Sequence, residues 1–239
     1  MDTPAPKKRH PIWRLLHLPW VLGLAWFLYS QVIPVALGTG WAVSLKLKGQ
    51  ATACPWDRVW STYSGLARFA EIYDTAKAKA AVLERDTSAG LHRVTTPKGP
   101  FWARQEGDEG RGIQYLFAEH DWIAESFPEA RVRRGEIVVD VGAHIGVFVA
   151  KALELGAEKV VAVEPDPGNV ECLRRNFPRE VASGRVVIVP EGAWSGDGSL
   201  TLHIGKSSGW NSMIQDYGGR SIEVPVRKLD DVVRRLALP

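Results

Sequence analysis

Residues 136–146 read EIVVDVGAHIG, and this short stretch decides the fold. Its first part, EIVVD at 136–140, is an apolar run without alternation, which is how a strand buried on both faces of a parallel sheet reads. The turn VGAHIG follows. Residues 147–155 then have helical composition, with Gly156 placed as a C-terminal cap. A second strand is expected at 160–163, ending in Glu164. Pro165, Asp166 and Pro167 make the next turn. Pro167 suits the first position of a helix running to about Phe177, where Pro178 stops it. A third strand is expected at 186–189. Strand, helix, strand, helix, strand predicts right-handed parallel crossovers, one half of a doubly wound, Rossmann-like α/β fold.

The turn between the first strand and its helix carries the chemistry. Glycine there lets backbone approach a ligand, because it has no Cβ and tolerates positive φ. The helix start behind it offers unpaired N–H groups and a positive dipole end. An acid at the tip of the next strand can accept hydrogen bonds from both ribose hydroxyls. Glu164 follows Gly146 by 18 residues, near the spacing of about 20 seen in nucleotide-binding folds. The dinucleotide fingerprint G-x-G-x-x-G needs a second glycine beside the pyrophosphate. Here His144 stands in that place, and Asp140 adds negative charge at the same mouth. That charge disfavours a pyrophosphate and favours a cation. S-adenosyl-L-methionine, with a sulfonium, an ammonium and a ribose, fits better than NAD. An NAD-dependent oxidoreductase stays as the weaker alternative.

Three longer runs then carry a resemblance: VVDVGAHIGVFVAKALELGA, VVAVEPDPGNVECLRRNF and VVIVPEGAWSGDGSLTLHIG. With the closing VPVRKLDDVV at 224–233, the chain from about Arg131 to Leu238 resembles the FkbM family of S-adenosylmethionine-dependent methyltransferases. The resemblance implies O-methylation of a hydroxyl on a sugar, lipid or secondary metabolite. It implies that Asp140, Gly142 and Gly146 line the methionine end of the cofactor, with Ala143 and His144 in the same turn. Glu164, followed by Pro165, would hold the ribose, and Gly192 and Ala193 would lie beside the adenine. No catalytic base and no metal ligands are assigned. Trp194 and Trp210 read as packing residues, with stacking on adenine or acceptor as the alternative. Cys172 reads as an inert helix residue facing the sheet.

Sequences of this family continue beyond the equivalent of LDDVVRRLALP with a fourth strand beside the first. The expectation is therefore a partial methyltransferase domain at 135–239, holding strands 1–3 plus a β-hairpin. Residues 136–141 would then form an exposed apolar edge. Either the sequence is a piece of a longer chain, or a second chain completes the sheet. A non-catalytic cofactor-binding or membrane-associated interaction protein is the remaining alternative.

Upstream, 46–134 reads as a connecting module. A helix is expected over 57–84, where Val59, Tyr63, Leu66, Ala70 and Tyr73 form an apolar stripe. Strands at 91–96 and 100–104 flank a turn at Pro97, Lys98 and Gly99. Residues 105–112 read as loop, and 113–134 are ambiguous around Pro128. His120 and Asp121 read as structural, and no chemistry is expected in this module.

The first 45 residues differ in character. Residues 15–45 contain no Asp, Glu, Lys or Arg, and six of the ten Trp fall in the first 60 residues. Readings of this arm are an interfacial helix or hairpin on the inner face of a membrane, a single span, a signal peptide, or an apolar arm packed on protein. Expected localisation is cytoplasmic, with that attachment. The whole chain has 239 residues, 45% hydrophobic and 24% charged, which excludes a disordered chain. Two cysteines exclude a disulfide scaffold. A net charge of +3 without a clustered basic face argues against a nucleic-acid partner. Expected partners are a small-molecule, glycan or lipid acceptor, a membrane surface, and a second chain at the sheet edge.

Overall fold

A computed structural model describes residues 44, 47–49, 69, 71–105, 111–126, 131–205, 211–216 and 218–238. The apolar arm, with its membrane readings, lies almost wholly outside the described residues, as do residues 57–68 and Trp210. Among the described residues no helix is long and apolar enough to cross a membrane. Arg68–Pro239 form one compact unit.

Among the described residues of that unit, 69 and 71–78 are helical. The end of the anticipated 57–84 helix is instead a strand, β1 (Val82–Asp86). It pairs with β2 (Leu91–Thr96), which pairs with β3 (Gly99–Arg104), both antiparallel. The reason is tertiary. Val82 packs against the shared core, and β2 offers a pairing edge that local helix propensity cannot outweigh. The ambiguous stretch is a helix, α1 (Arg111–Ser126), whose Ile113 and Phe117 face the same core.

The nucleotide-fold half follows as read: β4 (Ile137–Val141), α2 (Val147–Glu154), β5 (Lys159–Val163), α3 (Pro167–Asn176) and β6 (Val186–Val189). The strands form a parallel sheet in the order β4-β5-β6. Pro178 ends α3 but also opens a short helix, α4 (Pro178–Ala182), because proline at a helix start loses no hydrogen bond. Gly156, at φ +93, terminates α2.

Strand alternation explains the apolar runs. Val160 and Ala162 of β5 face one core with Leu173 and Phe177, and with Leu91 and Phe101 of the hairpin sheet. Val161 and Val163 face a second core with Val139, Val189 and Val232. Both faces of the sheet are covered, so both alternating sets are apolar. Val232 belongs to α5 (Leu229–Arg235), the helix on the second face. Residues on either side of position 134 therefore share one core. Between β6 and α5 lies a small third sheet of β7 (Gly192–Ala193), β9 (Arg220–Arg227) and β8 (Gly198–Ile204), in that order. β4 is an edge strand among the described residues, and Val141 at its end is 49% exposed.

Candidate cofactor cleft

The carboxyl ends of β4 and β5 meet the β7–β9 sheet at a cleft of about 350 Å³. That volume sits at the lower end of small-molecule sites, roughly 300–1,000 Å³. Gly142 and His144 line it from the first turn, Glu164 and Pro165 from the second, and Gly192 and Ala193 from β7. Six residues picked from the sequence thus converge on one cavity. Asp140, Ala143 and Gly146 are not among its lining residues.

The first turn is held by backbone. The N–H groups of Gly142 and Ala143 both donate to the Val163 carbonyl, at 2.9 and 3.1 Å. Gly142 has φ +80, and a Cβ placed on it would meet nothing within 4 Å. It supplies conformation and open space. Gly146 is different. At φ +94, a Cβ there would come 2.3 Å from Phe177 Cε2 and 2.8 Å from Leu173 Cδ2. The resemblance assigns Gly146 to the methionine end of a cofactor. In the structure its bare Cα also lets α3 pack against the start of α2. Ala143 is buried within the same core.

His144 has φ +53, unusual for a residue with a side chain. Burial pushes its imidazole down to about 4, with Asp166 opposing and Arg104 adding to the effect. The ring is therefore neutral at pH 7. Its backbone N–H donates to Glu164 Oε2 at 2.8 Å.

Glu164 is 5% exposed. Oε1 accepts from the Asp166 N–H at 3.0 Å and from Asn169 Nδ2 at 3.2 Å. Burial raises its pKa, opposed by the Asp166, His144 and Asn169 hydrogen bonds. A carboxylate has about four acceptor positions, and three are occupied from within the chain. Glu164 thus braces both turns and keeps about one position for a ligand. Asn169, 1% exposed, also lines the cleft, and its Oδ1 is buried without a hydrogen-bond partner among the described residues. At the end of β4, Asp140 Oδ2 is likewise buried and, among the described residues, unpartnered. Burial, helped by the Glu164 charge, pushes the Asp140 carboxyl up to about 6.

Several residues here escape a sequence reading. Asn169 was within sight, inside the EPDPGN run. Asp166 is the N-cap of α3, its Oδ1 accepting from the Gly168 N–H at 2.8 Å. The order Asp-Pro at a helix start signals that role. Asn211 and Met213 reach the cleft from the segment between β8 and β9, with no sequence signal. Arg104 pairs with Asp166 from 62 positions away, so the connecting module does carry a group that bears on the site. Of the two tryptophan candidates, the one within the described residues, Trp194, is 40% exposed and is not a lining residue. Cys172 is fully buried, with its thiol pushed up to about 12 by burial. His120 tilts on Phe148 with ring centroids 5.3 Å apart, and Asp121 pairs with Lys151. No cluster suited to a metal ion occurs among the described residues.

Comparison with known proteins finds methyltransferases. Residues 140–237 match the methyltransferase FkbM domain. A ribosomal protein L11 methyltransferase of Symbiobacterium thermophilum is 33% identical over 118 residues, covering 47% of this chain and 38% of that protein. Among solved structures, one from Pyrococcus horikoshii, described as a candidate RNA methyltransferase, is 25% identical. Its match covers 51% of this chain and 48% of that one, with a TM-score of 0.28. Methyltransferase FkbM of Methylobacillus flagellatus is 17% identical, with coverages of 73% and 41% and a TM-score of 0.29. The chain spans less than half the length of each of these relatives. Over residues 140–237, this chain is similar to the FkbM methyltransferase family.

Proposed function

We propose that the cleft binds S-adenosyl-L-methionine and that the chain serves methyl transfer to a hydroxyl of a small-molecule, glycan or lipid acceptor. The observation that carries this is the meeting of the Gly142 turn and the Glu164 carboxylate at one cavity. Two buried acceptor atoms without partners, Asn169 Oδ1 and Asp140 Oδ2, suit a ligand that is both hydroxyl-bearing and cationic. Buried polar atoms are nearly always satisfied, so the orphan that lines the cleft, Asn169 Oδ1, favours a missing donor.

When bound, the cofactor supplies an electrophilic methyl group on sulfur. The chain's own residues do the rest. Glu164 and Asn169 offer acceptors to the ribose hydroxyls. Gly142 keeps the mouth open where a side chain would intrude. Asp140, largely ionised at pH 7, favours positive charge at the end of β4. The neutral His144 adds no competing cation. Transfer to oxygen then depends on in-line positioning of the acceptor, which can supply much of the rate. No base is assigned among the described residues. The apolar arm at 1–45 is proposed to rest on a membrane surface at the cytoplasmic face, its aromatic residues beside Lys7, Lys8 and Arg9 suiting that interface. Either further residues of the same polypeptide or a second chain is proposed to complete the sheet along the β4 edge.

The test is calorimetric titration of the full chain with S-adenosylhomocysteine. Saturable binding that Glu164→Gln weakens at least tenfold, with the circular dichroism spectrum retained, is expected. Absence of binding overturns the reading, and unchanged affinity in the variant overturns the ribose assignment.

A further inference from the structure

Arg104 ends β3 in the hairpin sheet and is 7% exposed. Its guanidinium pairs with Asp166, which is fully buried. A buried ion pair is expensive to form, and it holds only when both charges are well satisfied. Asp166 is satisfied by three groups from three places. Arg104 Nη1 comes from the hairpin, Asn211 Nδ2 from the segment after β8 at 2.7 Å, and the Gly168 N–H from its own helix at 2.8 Å.

The same residue steers Glu164. The Asp166 N–H donates to Glu164 Oε1, and Asn169, one helical turn further, donates to the same oxygen. Pro165 and Pro167 restrict the backbone on either side. The orientation of the Glu164 carboxylate is therefore set by a rigid turn whose anchor is Asp166. Gly168 adds an independent mark of this arrangement. A Cβ on it would lie 3.3 Å from both Cδ and Nε of Arg104, so the glycine makes room for the arginine stem.

We propose that Arg104 is a positioning residue for ligand recognition: by fixing Asp166 it sets the Glu164 carboxylate for the ribose, so the hairpin module completes the cofactor site from outside the nucleotide fold. This rests on the methyltransferase reading above. It also gives the 82–104 hairpin a task, since β3 packs against α3 and delivers Arg104 across that contact. Asn211 carries the same signal to the other wall, because it both lines the cleft and donates to Asp166.

The experiment compares S-adenosylhomocysteine with its 2′-deoxyribose analogue by calorimetry, using the full chain and Arg104→Met. The wild type should prefer the ribose form by about tenfold or more, the range of a hydrogen bond to a charged acceptor. In Arg104→Met that preference should fall below about twofold. A merely structural arginine would lower both affinities together, through the folded fraction, and leave their ratio intact. An unchanged ratio in the variant therefore overturns the proposal while the methyltransferase reading stands. No binding by the wild type overturns both. Equal binding of the two ligands by the wild type removes the ribose role of Glu164 and the proposal with it. Should Arg104→Met fail to fold, Arg104→Gln, whose uncharged amide ends two bonds short of Nη1 and so loses the pair with Asp166, gives the same comparison, and an unchanged ratio there equally overturns the proposal.

Discussion

Gly146 offers the sharpest separation between packing and binding. Alanine at this position inherits φ +94, a conformation that costs a side-chain-bearing residue about 1–3 kcal/mol. Its methyl carbon would also sit 2.3 Å from Phe177 Cε2 and 2.8 Å from Leu173 Cδ2. Both neighbours are core residues, 5% and 0% exposed, with little room to retreat. Overpacking of a closed core costs about 1–3 kcal/mol more. The variant Gly146→Ala should therefore lose about 2–6 kcal/mol, a large share of the 5–15 kcal/mol typical of a folded domain. Gly142→Ala is the control. Its φ of +80 imposes strain, but no atom lies within 4 Å of the new methyl group, so about 1–2 kcal/mol is expected. Urea unfolding followed by circular dichroism measures both, and calorimetry with S-adenosylhomocysteine measures what the folded fraction binds. Gly146→Ala should unfold early yet bind normally when folded. Gly142→Ala should stay folded and bind worse, because its methyl enters the cleft. The reasoning is refuted if Gly146→Ala stays within about 1 kcal/mol of wild type, or loses ligand affinity at unchanged stability.

Two further outcomes concern titration and reactivity. His144 is depressed from 6.5 to about 4 in the fold, so it contributes stability above pH 6.5 that is lost as pH falls toward 4. His144→Asn, which tolerates the same backbone conformation, should flatten that acid limb in urea midpoints taken at pH 4 to 7; an unchanged limb would assign it elsewhere. Asp140, raised from 3.8 to about 6, acts oppositely, its contribution fading as pH rises between those values. Cys172 should resist a thiol reagent in the native protein and react on unfolding; native labelling at that residue would contradict its burial.

The nucleotide-fold half was legible because its signals are local. The three parallel strands read as continuous apolar runs, since neighbours on both faces demand apolar side chains. Gly156, Pro167 and the Asp166 cap mark helix ends by backbone rules that hold in any fold. Gly142, His144 and Glu164 could be picked because the strand–turn–helix order itself brings strand ends together, whereas Gly192 and Ala193 follow only from the family resemblance. Other features needed the folded chain. Whether Gly142 or Gly146 faces a ligand depends on where Phe177 comes to lie, which no spacing within the turn reveals. Residues 82–86 became strand because β2 supplied an edge. Three of Glu164's acceptor positions are taken by partners whose arrangement only packing creates. The Arg104–Asp166 pair spans 62 residues and joins an arginine and an aspartate that look like solvent-exposed charges in sequence. Sequence fixes what each turn can do with its own backbone; tertiary structure decides which charges are buried together, because burial is a property of the neighbours and not of the residue.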